Sequence, residues 1–356
     1  MFSGGLLQSL STFCFARYLS RSDSVIDEYV HSNCDRIIAE VQKPDYSLNS
    51  VHILNGSLTF LANLYKIGDR KKLRPTNPRV FEAIEAVIAV FDEFDDEKKR
   101  DSHIQKLITK LAGRVALVEL KPRIAAWKYN RGSRILGQNR IVTEEAVVDD
   151  AVTEDEVHVS ETVENVIGVL LNALSDNATV VRWNAAKQLG RVCDRLDCET
   201  GRYILEQIIE LLDENNSEDT WHGACSALAE FSRRNLIVAE LIPAAIEKVI
   251  QGLKYDQRRG DGSVGSNVRD AACYISWTFA RGFHPTHIKP FVTQIINALL
   301  LTSCFDREIS CRRAAQAALQ ENIGRLPLDF VPHALDINQE VNFVTIASLE
   351  NATKVC

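Results

Sequence analysis

Glycine and proline are scarce in this chain, at 17 and 9 among 356 residues. An all-β protein draws its many turns from those two residues, so the shortage points to helices. No uninterrupted apolar run reaches the ~18 residues of a membrane span. The best stretch, Ile295 to Leu301, is short and broken by Asn297. Positive charge is in deficit, with 41 Lys+Arg against 48 Asp+Glu, a formal charge of −7 and a pI near 5.7. That balance disfavours a dedicated nucleic-acid binder. The nine cysteines never stand at the C-x2-C spacing of a zinc knuckle or redox pair, and several lie inside apolar helical patterns, as Cys225 and Cys273 do. They read as free thiols in a reducing cytosol. Four N-x-S/T triplets, at Asn55, Asn177, Asn215 and Asn351, carry no weight without a secretory signal.

What is present is an ordinary soluble composition, 46% apolar and 25% charged, which argues against global disorder. The length would make about two compact domains at ~150 residues each. Charge is unevenly spread. Residues 1–140 hold 22 basic and 16 acidic side chains, residues 141–181 hold 10 acids and no Lys or Arg, and residues 182–356 hold 19 basic and 22 acidic. The acids Glu144, Glu145, Asp149, Asp150, Glu154, Asp155 and Glu156 crowd a segment whose valines are too scattered to cover a helix face. We therefore expect N-terminal helical repeats over 1–140, an acidic loop or linker over 141–161, HEAT-like repeats over 162–326 and a poorly defined tail over 327–356. The first 22 residues have two arginines, five serines and no acid, a mitochondrial-presequence composition. An ordinary amphipathic helix carrying Leu6, Leu10, Phe13 and Arg17 accounts for them as well, and is preferred.

Apolar residues then recur at helical spacing. Val163, Val166, Ile167, Leu170, Leu171 and Leu174 define one helix face, and Ala185, Leu189, Val192 and Leu196 define the next. Three more pairs follow, with second helices at Trp221–Glu230, Asn267–Cys273 onward and Asp306–Gly324. Taking Ala185, Ala224, Ala272 and Ala315 as equivalent gives offsets of 39, 48 and 43 residues, within the ~40–47 of a HEAT or armadillo unit. Small residues let paired helices approach closely, and one pair cannot bury its own apolar face, so pairs must stack. Before the acidic block the pattern is weaker, with helices expected at His52–Tyr65, Val80–Phe94 and Ile104–Val118 and a loop at Arg70–Pro78. The expected fold is an all-α, HEAT/armadillo-like solenoid of stacked helix pairs.

Such a fold works by surface, and the candidates are protein-binding residues. Arg182, Arg269 and Arg312 occupy matching places in three repeats. They suit a structural ladder with acids such as Asp176 and Asp306, or else an array facing a partner, where Arg313 would join them. Trp183, Trp221 and the adjacent His222 are either core or interface anchors, whereas Trp277 reads as core. Residues 260–265 fit G-x-G-x-x-G, but a helix precedes them where a dinucleotide site needs a strand, so a flexible turn before a Ser266 or Asn267 cap is the better reading. Its neighbours Arg258 and Arg259 are candidates to grip a partner's carboxylates. Lys128 and Arg131 lie in a basic stretch, 121–140, interleaved with Trp127 and Tyr129. A solvated helix end, an acidic protein surface and, last, nucleic acid are its possible uses. His284 and His287 lack a third metal ligand at a persuasive spacing, and no nucleophile–base pairing, Walker A or H-E-x-x-H string occurs. No catalytic residue, cofactor or metal is expected.

Several strings resemble the tubulin-folding cofactor D family. They are LKPRIAAWKYNRG at 120–132, the helices at 181–190 and 221–234, GSNVRDAACYISWTFAR at 265–281 and FDREISCRRAAQAALQENIG at 305–324. The acidic insertion fits too, and the resemblance covers roughly residues 50–345. It implies cytosolic HEAT-repeat proteins, associated with the microtubule cytoskeleton, that take β-tubulin after the chaperonin. Such proteins cooperate with cofactors C and E and with an ADP-ribosylation-factor-like small GTPase, and stimulate GTP hydrolysis within that complex. It implies a chaperone and not an enzyme, with no nucleic acid and no membrane span. Members of that family are several times longer than this chain. A HEAT-repeat adaptor or transport scaffold for another cargo is the alternative.

Overall fold

A computed structural model describes residues 3–21, 26–43, 48–93, 101–122, 130–131, 134–135, 159–260 and 262–344. Contacts divide the chain into two units: 1–123 with 158–196, and 124–157 with 197–356.

The first unit is two layers of helices. One layer holds α1 (Ser3–Leu19), α3 (Leu48–Ile67), α6 (Ser102–Glu119) and α8 (Thr179–Cys193), each packed on the next. The other holds α2 (Ile26–Val41), α5 (Asn77–Asp92) and α7 (Glu161–Asn172). The segment 70–78, expected as a loop, instead forms the one-turn helix α4 (Arg70–Leu73), a 3-10 turn over Arg74–Thr76 and the start of α5. Asp69 starts α4 by accepting from Lys71 N, and Pro78 falls in the first turn of α5, where its missing N–H has no partner to lose. Asp101 caps α6 by accepting from the amides of His103 and Ile104. Gly113 lets α6 and α8 touch, since a Cβ there would stand 2.6 Å from Cβ of Gln188.

The second unit repeats the scheme. Its outer helices are α9 (Cys198–Glu210), α11 (Ile242–Leu253), α14 (Val292–Phe305) and α16 (Ala334–Val344), with a short α13 (Pro285–Ile288) leading into α14. Its second helices are α10 (Glu218–Arg233), α12 (Ser266–Gly282) and α15 (Ile309–Arg325), packed α10 on α12 and α12 on α15. Asp197 and Ser217 cap α9 and α10 through the amides of Thr200 and Thr220. Pro243 lies in the first turn of α11, as expected of a tolerated proline. Ala185, Ala224, Ala272 and Ala315 are all fully buried, which confirms the repeat register. Both units belong to the α-solenoid class of stacked helix pairs.

Among the described residues, strands occur as two hairpins. One is β1 (Asn130–Arg131) with β2 (Arg134–Ile135); the other is β3 (Gln257–Arg259) with β4 (Gly262–Val264). The segment 327–356, read from sequence as poorly defined, contains α16 packed on α14 and α15; residues 345–356 lie outside the described residues. The acidic block through residue 158 also lies outside them, and α7 starts at Glu161.

Candidate functional site

The matching arginines have a common structural task. Arg182, Trp221, Arg269 and Arg312 each stand three residues before a register alanine, and each donates to a backbone carbonyl ahead of its own helix. Arg182 Nη1 reaches the carbonyls of Asp176 at 2.7 Å and Asn177 at 2.9 Å. Arg312 makes the equivalent pair with Asp306 and Arg307. Trp221 Nε1 donates to Asp213 O at 2.7 Å, and Arg269 Nη1 to Tyr255 O at 2.8 Å. Carbonyls at the end of one helix have no intrahelical donor, and these side chains supply it. Arg269 does more: its Nε and Nη2 take both oxygens of Asp306, at 2.6 and 3.1 Å, joining one repeat to the next.

That role corrects several candidates. Arg182, Trp221, His222 and Arg269 are buried, at 1–7% exposure, so they do not form a surface for a partner. His222 is inward because α10 is buried on every side from Thr220 to Ser232. Trp183, one residue after Arg182, is 47% exposed, with Lys187 Nζ 5.9 Å from its ring centroid. Arg312 is half-buried and Arg313 exposed. Trp277 is also half-buried and not core: it stacks on Tyr274 with centroids 5.9 Å apart and carries the Arg281 guanidinium 4.1 Å from its ring centroid. Lys128 lies outside the described residues. Arg131 is placed by its backbone alone, paired with Arg134 across the β1–β2 hairpin.

The described residues of the glycine-rich segment, 257–260 and 262–264, pair as a hairpin where a long turn was expected. Arg258 pairs with Ser263 and Arg259 with Gly262 across it, and Gly260 takes φ +59° at the turn. Gly265, at φ +131°, is itself the cap residue of α12, in place of the expected Ser266 or Asn267. Arg258 and Arg259 are exposed, but successive strand residues point to opposite faces, so they do not form one claw. Arg258 borders a shallow polar depression with Asp256, Ser263 and Arg307, where Arg307 already holds Asp256 at 2.7 Å.

Sequence reasoning missed two features of the second helices. One is a polar chain across α10, α12 and α15. Buried Glu230 binds Arg233 and Arg234, Arg233 donates to Tyr274 Oη at 3.2 Å, and Arg281 reaches Glu321, which also binds Arg325. The other is a basic face on α6 and α8, carried by Lys106, Lys110 and Arg114 and by Lys187 and Arg191. Burial and then the surrounding Arg114, Lys106, Lys66 and Lys187 lower the pKa of Lys110. Burial, then Arg191, pushes Arg114 down to about 10, so it stays charged at neutral pH. The four-residue spacing of these bases was visible in the sequence.

Residues 103–334 match the family described as tubulin-specific chaperone D-like, armadillo repeats. The chain is 30% identical over 312 residues to a protein of Dictyostelium discoideum named tubulin-specific chaperone D, covering 83% of this chain and 21% of that one. It is 31% identical over 268 residues to tubulin-folding cofactor D of Schizosaccharomyces pombe, covering 71% of this chain and 23% of that one. The chain thus spans under a quarter of the length of these curated relatives. Among solved structures, Kap121p bound to Nup53p matches at TM-score 0.41 and 12% identity, over 90% of this chain and 40% of that one. A designed armadillo repeat protein in complex with a (KR)4 peptide matches at TM-score 0.34 and 15% identity, over 80% and 98%.

Proposed function

The chain belongs to the tubulin-specific chaperone D-like armadillo-repeat family, and from that premise we propose that it is a binding scaffold in tubulin folding. In this reading it holds β-tubulin during assembly and disassembly of the αβ dimer, in the cytoplasm and beside the microtubule cytoskeleton. Folding cofactors C and E and an ADP-ribosylation-factor-like GTPase are its proposed co-partners, and any stimulation of GTP hydrolysis belongs to that assembly. The observation that carries the reading is the family match over 103–334, which takes in α6 to α15 almost whole.

The physical support is that holding a folding intermediate needs area more than chemistry. Each unit offers second helices with partly exposed side chains of the aromatic and arginine types that anchor protein interfaces, Trp183 in the first and Tyr274, Trp277 and Arg281 in the second. The test is co-precipitation of the purified 356-residue chain with cytosol, identified by mass spectrometry and repeated with purified tubulin. β-tubulin is the expected capture. Its absence from both experiments overturns the reading, and consistent capture of a different cargo replaces it with an adaptor role. Within this test, Arg258→Glu with Arg259→Glu asks whether the β3–β4 hairpin touches tubulin; unchanged capture at several salt concentrations removes that hairpin from the surface.

A further inference from the structure

Two neighbouring helices of the first unit carry cations in register. On α6, Lys106, Lys110 and Arg114 recur every fourth residue; on α8 and the turn after it, Lys187, Arg191 and Arg195 do the same. Four-residue spacing stacks side chains on one helix face, and α6 packs directly on α8. Two of the arginines are anchored by neutral groups: Arg114 donates to the Ala62 carbonyl, and Arg195 Nη1 to the Leu117 carbonyl at 2.8 Å. A carbonyl fixes a guanidinium in place without cancelling its charge. Among the described residues, no carboxylate stands within ion-pair distance of Lys106, Lys110, Arg114, Lys187 or Arg195. The neighbouring acid is Asp194, beside Arg195, and α3 adds a further cation, Lys66. So much unbalanced charge is costly to a fold that gains nothing from it, and it stands in a chain whose net charge is −7.

An apolar anchor flanks the rows. Trp183 is 47% exposed beside Lys187, and Val180, one turn earlier, is 49% exposed. We propose that this face docks an extended acidic segment of a partner protein, with carboxylates on the half-buried Lys106, Lys110 and Lys187, the buried Arg114 adding its charge from beneath, and an apolar side chain against Trp183. The inference rests on the scaffold reading and gives it a partner chemistry. The dimensions suit a peptide: packed helices lie ~10 Å apart and an extended chain rises ~3.3 Å per residue, so acids about three residues apart reach successive rows. A nucleic-acid strand fits less well. Binding of that kind uses a series of exposed rings for base stacking, and α6 and α8 together offer only Trp183 and, in the first turn of α6, the imidazole of His103.

The test is fluorescence anisotropy of labelled octaglutamate with the 356-residue chain, against octalysine and a twelve-nucleotide oligothymidylate. Saturable binding of octaglutamate is expected, weakening as salt rises. Lys106→Glu with Lys187→Glu should lower its affinity about tenfold or more, and the Gln pair by less. Neither lysine side chain carries a structural hydrogen bond, so the melting temperature should hold. Arg36→Glu with Lys254→Glu, an equal change of net charge at two exposed cations elsewhere, should leave binding unchanged. Absence of saturable binding, equal loss in both charge-reversed pairs, or tighter binding of the oligothymidylate would overturn the proposal. Loss of tubulin capture with octaglutamate binding intact would count against the tubulin reading alone.

Discussion

Replacing Arg269 by Met tests what joins one helix pair to the next. The guanidinium is 6% exposed and holds both oxygens of Asp306, itself 4% exposed at the side chain, while Nη1 satisfies the Tyr255 carbonyl. Met keeps the length of the side chain and removes every donor. Asp306 is then a buried carboxylate that keeps the amide of Glu308, at 2.9 Å, but has lost its counter-charge. Removing one member of a buried pair costs about 3–5 kcal/mol, mostly from the charge left behind. Native-state hydrogen exchange read on α12 and α15 should therefore quicken by about 100-fold or more. Exchange suits a stack of repeats better than a single unfolding midpoint, because such stacks do not always melt as one unit. Adding Asp306→Asn removes the orphaned charge but keeps an acceptor for Glu308, so the double variant should recover part of the loss. A single variant costing under about 1 kcal/mol, or a double variant costing the sum of both singles, would refute the account of a buried charge pair.

Three further outcomes are expected. Gly113→Ala should destabilise by about 1–3 kcal/mol, because its Cβ meets Gln188 Cβ at 2.6 Å, whereas Gly168→Ala, with nothing within 4 Å, should stabilise by up to ~1 kcal/mol; thermal melts separate them. Trp221→Phe should cost about 1 kcal/mol or more for the lost bond to Asp213 O, while exposed Trp183→Phe stays within about 0.5 kcal/mol by urea titration. Burial pushes the Cys225 thiol up to about 12, and burial, with a smaller opposing effect of Arg79, does the same for Cys34, so a thiol reagent at pH 8 should label exposed Cys14 and Cys198 and spare those two until denaturant is added. The sign for stability follows: the unfolded thiols ionise from about pH 9 while the folded ones stay protonated, so this contribution is present below pH 9 and is lost as pH rises towards 12.

The hairpin at 257–264 shows where local reading ran out. Glycines at 260, 262 and 265 announced a turn, but pairing of Arg258 with Ser263 depends on strand register, which no single glycine specifies. The capping of α12 by Gly265 was likewise hidden, since Ser266 and Asn267 are the better cap formers by side chain; the close approach of Tyr255, whose carbonyl would lie 2.8 Å from a Cβ, favours glycine instead. The basic rows of α6 and α8 were legible as four-residue spacings. Their meeting on one face was not, because 73 residues separate Lys187 from Arg114 and only helix packing brings the rows together.

The sequence alone determined the paired helices from α7 to α15 and their repeat spacing, though not α2, α4 or α16, because apolar residues at steps of three and four and a buried alanine every ~43 residues admit few other ways to hide from water. The tertiary structure decided which of two adjacent side chains turns inward. Each step along a helix rotates the side chain by about 100°, so Arg312 bonds the preceding turn while Arg313 meets solvent, and Arg182 is buried while Trp183 is exposed. Where neighbours close over every side, as on α10, that rotation no longer matters and His222 is buried beside Trp221. Exposure belongs to the packed neighbourhood of a residue and not to its type, which is why the surface available to a partner appears only once the helices are in place.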